Sequence, residues 1–458
     1  MTNLFNSARV SRRGILLSAF QKPKLNVLFI AVDDLNTRLG CYGDPVAKTP
    51  NIDRLAKMAV RFDRGYCNYP LCNPSRTSLL SGRRPETTKV LDNSTPPRTH
   101  LGAGAVFLPE LFRANGYFTA RVGKIAHGKY EDAIKWDISE GSRSGVPAGR
   151  KVTKKRVPSG RAFAGIKLNW TPTDNADEDE PDGHTARRIV KLIDASQGKP
   201  WFLGCGFHKP HLPWIAPKKY FDIYDPARIP LPQEPPNDRE DIPAIALTHT
   251  AGDERMTDDQ KRQAIAAYHA ATSFMDAQVG VLLDELDRRQ LWDSTVVLLF
   301  GDHGWHLAEH QGLWRKMTLF EESGRAPLLV AAPGFQRAAV SRGFVEWVDL
   351  YPSLAELCGL KAPGGLEGTS FVPLLKDPAR QWKKAAYTVV TRGETLGRRV
   401  VTERYGYTEW GSPAVAELYD RSKDPKEYVN LVKDPKLKPV IAELQTLLAD
   451  WRKALPPA

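Results

Sequence analysis

Four apolar runs of strand length each end in charged or ionisable residues, and this repetition limits the fold more than any other feature. NVLFIAV (26–32) runs into Asp33-Asp34, and YFTARV (117–122) into Gly123-Lys124 and then His127. WFLGCGF (201–207) runs into His208-Lys209-Pro210-His211, and TVVLLF (295–300) into Gly301-Asp302-His303. Unbroken apolar runs of this length suit strands buried on both faces. Helical spacing lies between them. After Thr49-Pro50, apolar residues fall at Ile52, Leu55, Ala56, Ala59 and Phe62; further helices are predicted over 107–115, 183–197 and 258–290. The alternation predicts an α/β fold with a large, mostly parallel sheet sandwiched by helices. In such sheets ligands bind just outside the carboxyl ends of the strands. Each polar residue alone has an ordinary explanation as a turn, a cap or a structural hydrogen bond. Four strand ends together predict one crevice.

The chain divides into a leader at 1–24, a main domain at 25–375 and a smaller unit at 376–458. In the last, AYTVVTR, RRVVTERYGYTEW and AELYD predict a small antiparallel sheet, and Val440, Ile441, Leu444, Leu447, Leu448 and Trp451 mark a closing amphipathic helix. Segments 133–180 and 209–255 are rich in Pro, Gly and charge and read as long surface excursions. In the leader, SRRGILLSAF resembles a short twin-arginine export signal. The expectation is a periplasmic or secreted protein, with cytoplasmic residence as the alternative.

Composition removes several classes. No apolar run approaches the roughly 18 residues of a membrane span. Five cysteines in 458 residues, at 41, 67, 72, 205 and 358, form no disulfide framework and no CxxC zinc pair. The formal charge of +12 fits either a solvated basic surface or an anionic substrate. No basic block is interleaved with aromatics, which argues against nucleic acid. No feature sets an oligomeric state.

Asp33, Asp34 and Asp302 are hard oxygen donors, and three carboxylates in one buried crevice repel one another. A divalent cation relieves that repulsion, and oxygen-rich ligation favours Ca²⁺ or Mg²⁺ over zinc. Arg76, Lys124, His127, His208 and Lys316 would add positive charge, which suits a tetrahedral oxyanion such as sulfate or phosphate. In LCNPSRTSLLSGRRP (71–85), Pro74 fits the first turn of a helix, so Cys72 would stand at a helix N-terminus, where anions are favoured. A thiolate matches a hard cation poorly. From composition and spacing, Cys72 stays open between a core thiol, a nucleophile and a precursor of another group.

Cys72-Asn73-Pro74-Ser75-Arg76 followed by Leu80-Ser81-Gly82-Arg83 matches the sulfatase signature C-x-P-S-R-x-x-x-L-[ST]-G-R. VDDLNTRLGCYG, TPNIDRLA, GRRPETT, GYFTARVGKIAHG, FLGCGFHKPHLP and FGDHGWHLAEHQGLWRK extend the likeness over about residues 25–455. The chain thus resembles the formylglycine-dependent sulfatases of the alkaline-phosphatase superfamily, in their iduronate-2-sulfatase-like branch. The resemblance implies oxidation of Cys72 to formylglycine by a maturation enzyme. It implies Ca²⁺, with Mg²⁺ less favoured, held by Asp33, Asp34, Asp302, His303 and an oxygen at residue 72. Arg76 and Lys124 would steady the formylglycine diol, Lys124, Lys316 and His208 would bind sulfate, His208 would protonate the leaving oxygen, and His127 would take the proton that expels sulfate. Asn93, Arg98, His211, Trp305 and Arg399, with Arg398 and Trp410, are the candidates for contact with the sugar. The implied activity is hydrolysis of a sulfated carbohydrate, a 2-O-sulfated uronic acid first. The alternatives are a phosphate or phosphonate ester hydrolase and a silent glycan-binding relative.

Overall fold

A computed structural model describes residues 24–102, 104–142, 165–249 and 252–455. The expected leader lies outside the described residues up to position 23, as does 143–164 of the first surface excursion. The main sheet is built from β1 (Asn26–Val32), β2 (Val60–Phe62), β3 (Phe118–Gly123), β4 (Ile138–Glu140), β5 (Trp201–Phe207), β6 (Thr295–Gly301), β7 (Leu328–Ala331) and β8 (Ala339–Ser341). Their order across the sheet is β8-β2-β7-β6-β1-β5-β3-β4. β1 is central and parallel to both β5 and β6, and β3 is parallel to β5. Only β7 runs against its neighbours β6 and β2 among these eight. The sequence-based α/β expectation of a mostly parallel sheet between helices is the observed architecture.

Alternate residues of β1 supply two cores. Val27, Phe29 and Ala31 pack with Leu79 and Leu80 of α2 (Cys72–Ser81), Leu108 and Phe112 of α3 (Leu108–Ala114), and Leu350 and Leu354 of α6 (Leu350–Leu357). Leu28, Ile30 and Val32 pack with Ile52 and Leu55 of α1 (Pro50–Met58), Ile189 and Leu192 of α4 (Pro181–Ala195), and Val279 and Leu283 of α5 (Asp258–Arg288). Each large aliphatic side chain buried in this way contributes on the order of 2 kcal/mol. The register then levels the strand ends, pairing Val32 with Phe207 and with Gly301, and Gly123 with Gly206. Asp33, His208, Asp302 and Lys124 therefore leave the sheet side by side.

One expected helix is shorter than its spacing implied. α1 ends at Met58, and Val60–Phe62 is strand, with Phe62 paired to Leu328. Val60 and Phe62 gain more by burial in the sheet than the helical spacing offers, a tertiary override of local pattern.

The C-terminal part forms a four-stranded antiparallel sheet of β9 (Ala385–Arg392), β10 (Thr395–Thr402), β11 (Tyr405–Trp410) and β12 (Ser412–Asp420) in that order. α7 (Lys438–Ala454) lays Leu444, Leu448 and Trp451 over Val389, Val400, Tyr407 and Leu418. The Trp451 ring stacks on Tyr387 with centroids 4.8 Å apart. No helix among the described residues is long and apolar enough to cross a membrane.

Candidate active site

Backbone hydrogen bonds carry the sheet one residue past its strands and set the first polar groups. Asp33 N donates to Phe207 O at 3.2 Å, Asp302 N to Val32 O at 3.1 Å, and Lys124 N to Gly206 O at 3.0 Å. The approach at Lys124 is close enough to need glycine. A Cβ on Gly206 would stand 2.3 Å from the Lys124 backbone, and Gly123 takes φ +83° beside it. Asp34 also takes a left-handed φ of 60°, which costs about 1 kcal/mol or more in a residue other than glycine. The strain is held by two bonds: Asp34 N donates to Asp302 Oδ1 at 3.1 Å, and Tyr268 Oη donates to Asp34 O at 2.9 Å.

α2 brings Cys72 to these carboxylates. The helix starts at Cys72 and stops at Gly82, whose φ of 67° is the left-handed cap. Asn93 Oδ1 accepts from Asn73 N at 3.1 Å, and Asn73 Nδ2 donates to the carbonyls of Asp92 and Thr95. Asn93 therefore caps the helix mouth beside residue 72. One turn on, the buried Arg76 donates to Asp302 Oδ2 at 2.8 Å, to Lys124 O at 2.5 Å and to Ile125 O at 3.1 Å, with Asp33 Oδ1 at 3.4 Å. Ser75 Oγ and Trp347 Nε1 both donate to Asp302 O.

Asp33, Asp34, Cys72 and His303 are all buried, and each offers one ligand atom within 4.8 Å of the others. Cys72 Sγ lies 3.3 Å from Asp33 Oδ1 and 3.5 Å from His303 Nε2. Asp302 Oδ1 is 3.7 Å from His303 Nε2, so the fifth expected ligand borders the same space. Cations line the outer side. Lys124 Nζ donates to Asp33 Oδ2 at 2.5 Å, and Lys316 Nζ donates to Asp34 Oδ1 and lies 3.6 Å from Cys72 Sγ. Asp34 Oδ2 is buried with no hydrogen-bond partner among the described residues. An orphaned carboxylate oxygen among three acids and an imidazole fits a hard divalent cation, and the thiol alone does not.

Electrostatics follow this packing. Burial acts to raise the Asp33 pKa, yet Lys124, with His211, Arg76 and Lys316, holds it well below the usual carboxylate range. Burial, reinforced by Asp33, pushes the Cys72 thiol up to about 12. The cysteine is therefore a neutral thiol at neutral pH. Burial pulls His208 down to about 3, with Lys124 and Lys209 also opposing its charge. Burial, then Lys124 and Arg76, pulls His127 down to about 4, and its Nδ1 is buried without a partner. Both imidazoles are thereby held neutral.

The remaining candidates separate into two groups. His211 reaches the site, with Nε2 3.9 Å from Asp34 Oδ2 and its ring 5.8 Å from that of His208. Trp305 is buried, and the Lys316 ammonium lies 5.1 Å from its ring centroid. It therefore supports Lys316 from beneath and is not open to a sugar. Arg399 does not join the site, because it is buried in an ion pair with Glu427 under the C-terminal sheet. Arg98 is engaged elsewhere too. Its three nitrogens donate to Ala133 O, Ala105 O and Glu110, and its guanidinium lies over Phe107. Trp410 is buried and donates to Glu417 at 2.8 Å. Asp182 was not singled out by the sequence reading. It accepts from the backbone N–H groups of His208 and Lys209, both at 2.8 Å, and so aims His208. Its only sequence signal is an acid in the first turn of α4, which reads as helix capping.

The sulfatase family model matches residues 25–360, and the model for the C-terminal region of N-sulphoglucosamine sulphohydrolase matches residues 308–454. The chain is 33% identical to iduronate 2-sulfatase of Homo sapiens over 74% of this chain and 70% of that protein. It is 30% identical to the delta 4,5-hexuronate-2-O-sulfatase of Bacteroides thetaiotaomicron, over 96% of this chain and 90% of that one. Among solved structures, the phosphonate monoester hydrolase of Agrobacterium radiobacter superposes with a TM-score of 0.80, covering 94% of this chain and 96% of that chain. At 21% identity this is a likeness of fold.

Proposed function

The chain belongs to the sulfatase family and is a sulfuric ester hydrolase; from that premise we propose that it removes the 2-O-sulfate of a uronic acid in a sulfated glycan, with residue 72 acting as formylglycine. The likeness to the human iduronate 2-sulfatase and the Bacteroides delta 4,5-hexuronate-2-O-sulfatase supports the sugar and the position. The observation that carries the chemistry is Cys72 itself. A buried neutral thiol 3.3 Å from Asp33 and 3.5 Å from His303 is neither a nucleophile nor a ligand for a hard ion. Oxygen at that position removes both faults, and a maturation enzyme would supply it by oxidising the thiol to the aldehyde.

Asp33, Asp34, Asp302 and His303 would hold the cation, Ca²⁺ before Mg²⁺. When bound, it would offset the carboxylate repulsion and acidify a hydroxyl of the hydrated aldehyde. Lys124, Lys316 and His208 bind the sulfate oxygens. The free site keeps His208 neutral, and the charge of the entering sulfate ester favours its imidazolium. One hydroxyl of residue 72 would attack sulfur in line, and His208 would protonate the sugar oxygen as its bond to sulfur breaks. His127 accepts the proton from the second hydroxyl of residue 72, so that sulfate leaves as the aldehyde returns. Arg76 fixes Asp302 and the 124–125 backbone around these groups.

The test pairs peptide mass analysis around residue 72 with a panel of defined esters, using protein from a host that has a maturation enzyme. The expected result is a peptide resistant to alkylation and fastest turnover on 2-O-sulfated uronate disaccharides. A fully alkylatable Cys72 in an active preparation rejects the nucleophile. Faster cleavage of matched phosphonate or 6-O-sulfated hexosamine esters rejects the substrate.

A further inference from the structure

One arginine of the C-terminal sheet, in contact with the loop that follows Lys316, has no acid in an ion pair with it among the described residues. Arg392 ends β9 and faces Thr395 of β10 across the two-residue turn Gly393-Glu394. Gly393 takes φ +58°, the left-handed state that such tight turns use. The turn leans on the loop that follows Lys316. Arg392 Nη2 donates to Met317 O, Nη1 donates to Thr391 O at 3.1 Å, and the guanidinium lies 5.4 Å from the Trp410 ring centroid. Next to it, Thr391 Oγ1 is 2.7 Å from Tyr69 Oη, three residues before Cys72. Arg392 is thus held between the two segments that deliver Cys72 and Lys316. The Lys316 ammonium is 3.6 Å from Cys72 Sγ, and Met317 is the next residue along the chain.

Among the described residues the buried arginines have carboxylates: Arg76 pairs with Asp302, Arg84 with Glu346, Arg121 with Glu131 and Arg399 with Glu427, as does the half-buried Arg421 with Glu321. Among the described residues the hydrogen bonds that Arg392 makes go to neutral carbonyls, and its Nε is buried with no partner. Burial lowers its pKa, opposed only by Tyr69 and Glu417. A half-buried guanidinium with a sealed, unmet donor is better satisfied when an anion meets its open side.

We propose that Arg392, presented on the β9–β10 turn and backed by Trp410, is the subsite for the substrate's second anionic group, the carboxylate of the sulfated uronate. This rests on the substrate class given above. The planar fork of arginine matches a carboxylate with two parallel donors. A sulfate seated at residue 72 leaves the rest of the sugar ring to bridge toward the 392 turn. Arg392 touches no sulfate oxygen in this account and moves no proton. It selects which sugar is held.

The experiment uses matured full-length enzyme and two substrates, a 2-O-sulfated uronate disaccharide and its carboxyl-reduced counterpart. Arg392→Gln is expected to raise KM for the acid form on the order of 10- to 100-fold, the weight of a charge-assisted hydrogen bond, with kcat nearly unchanged. Turnover of the carboxyl-reduced form should be the same in both proteins, and Arg392→Lys should restore part of the acid preference. Equal losses on both substrates, or an acid preference that survives Arg392→Gln, would overturn the subsite while leaving the substrate class standing. Wild-type enzyme that cleaves neither disaccharide removes the substrate class, and the subsite falls with it.

Discussion

Two clusters of buried charge sit in this molecule, and they are finished differently. At the seam between the main sheet and the C-terminal sheet, Arg84 grips both oxygens of Glu346 at 2.6 and 2.9 Å. Lys383 bridges Glu346 and both oxygens of Asp349, whose carboxylate also accepts from the backbone of Glu346 and Thr369. Every oxygen of Glu346 and Asp349 is met there. At the carboxyl ends of β1, β3, β5 and β6, three aspartates crowd together, Asp34 Oδ2 and His127 Nδ1 have no partner, and Asp34 is held in a left-handed backbone. The first arrangement is complete as it stands and ties two layers together. The second is complete only with groups from outside. Between the Glu346–Asp349 pair and the Asp33–Asp34–Asp302 cluster, the difference lies in unmet carboxylate oxygen and not in buried charge as such.

The largest expected contrast is in activity. Cys72→Ser should lower turnover by more than about 10³-fold, as loss of a nucleophile does, because serine offers no second hydroxyl to expel sulfate. Its melting temperature should stay close to that of the parent. The seam should behave in the opposite way. Glu346→Gln strands Arg84, leaves Lys383 with Asp349 alone, and should lower unfolding free energy by about 3–5 kcal/mol, read by urea denaturation, with KM unchanged in the fraction that folds. Chelation comes next: dialysis against a strong chelator should abolish turnover and lower the melting temperature, and added Ca²⁺ should restore both, with stabilisation of about 2.7 kcal/mol when the ion is present at 100 times its Kd. The seam variant should respond to chelator by the same shift as the parent.

The smallest effect is on pH dependence. His208 and His127 are held neutral, with folded pKa values of about 3 and about 4 against an ordinary 6.5. Between those limits the unfolded chain binds more protons than the folded one. Their contribution is therefore present above pH 6.5 and is lost as pH falls through the range toward the folded values. Urea midpoints should drop from pH 7 to pH 5, and His208→Gln should flatten that slope. A slope unchanged by the substitution would contradict the burial argument.

The strand ends were legible in the sequence because both faces of these strands are buried. Their residues form unbroken apolar runs, and the first polar residue after each run marks where the sheet meets the crevice. The register that levels Asp33, His208 and Asp302 is a pairing between distant segments, and no local pattern carries it. The same limit explains Arg399. Its position in a strand is readable, but its partner Glu427 comes from beyond β12 and closes on it only in three dimensions. Arg98 lost its role to Glu110 for a similar reason. Asp182 looked like helix capping because it also occupies a first turn, and its work on the His208 and Lys209 amides depends on how α4 meets β5. Arg392 reads only as the last residue of a strand, and its missing counter-charge is visible only once every neighbour is placed.

The account depends most on a single cation shared by the strand ends and residue 72. Anomalous diffraction from crystals of active enzyme grown with Mn²⁺ in place of Ca²⁺ tests it directly. The predicted result is one strong peak bounded by Asp33, Asp34, Asp302 and His303, with an oxygen of residue 72 in its coordination shell. A peak elsewhere, or a residue 72 side chain turned away from the ion, would contradict it.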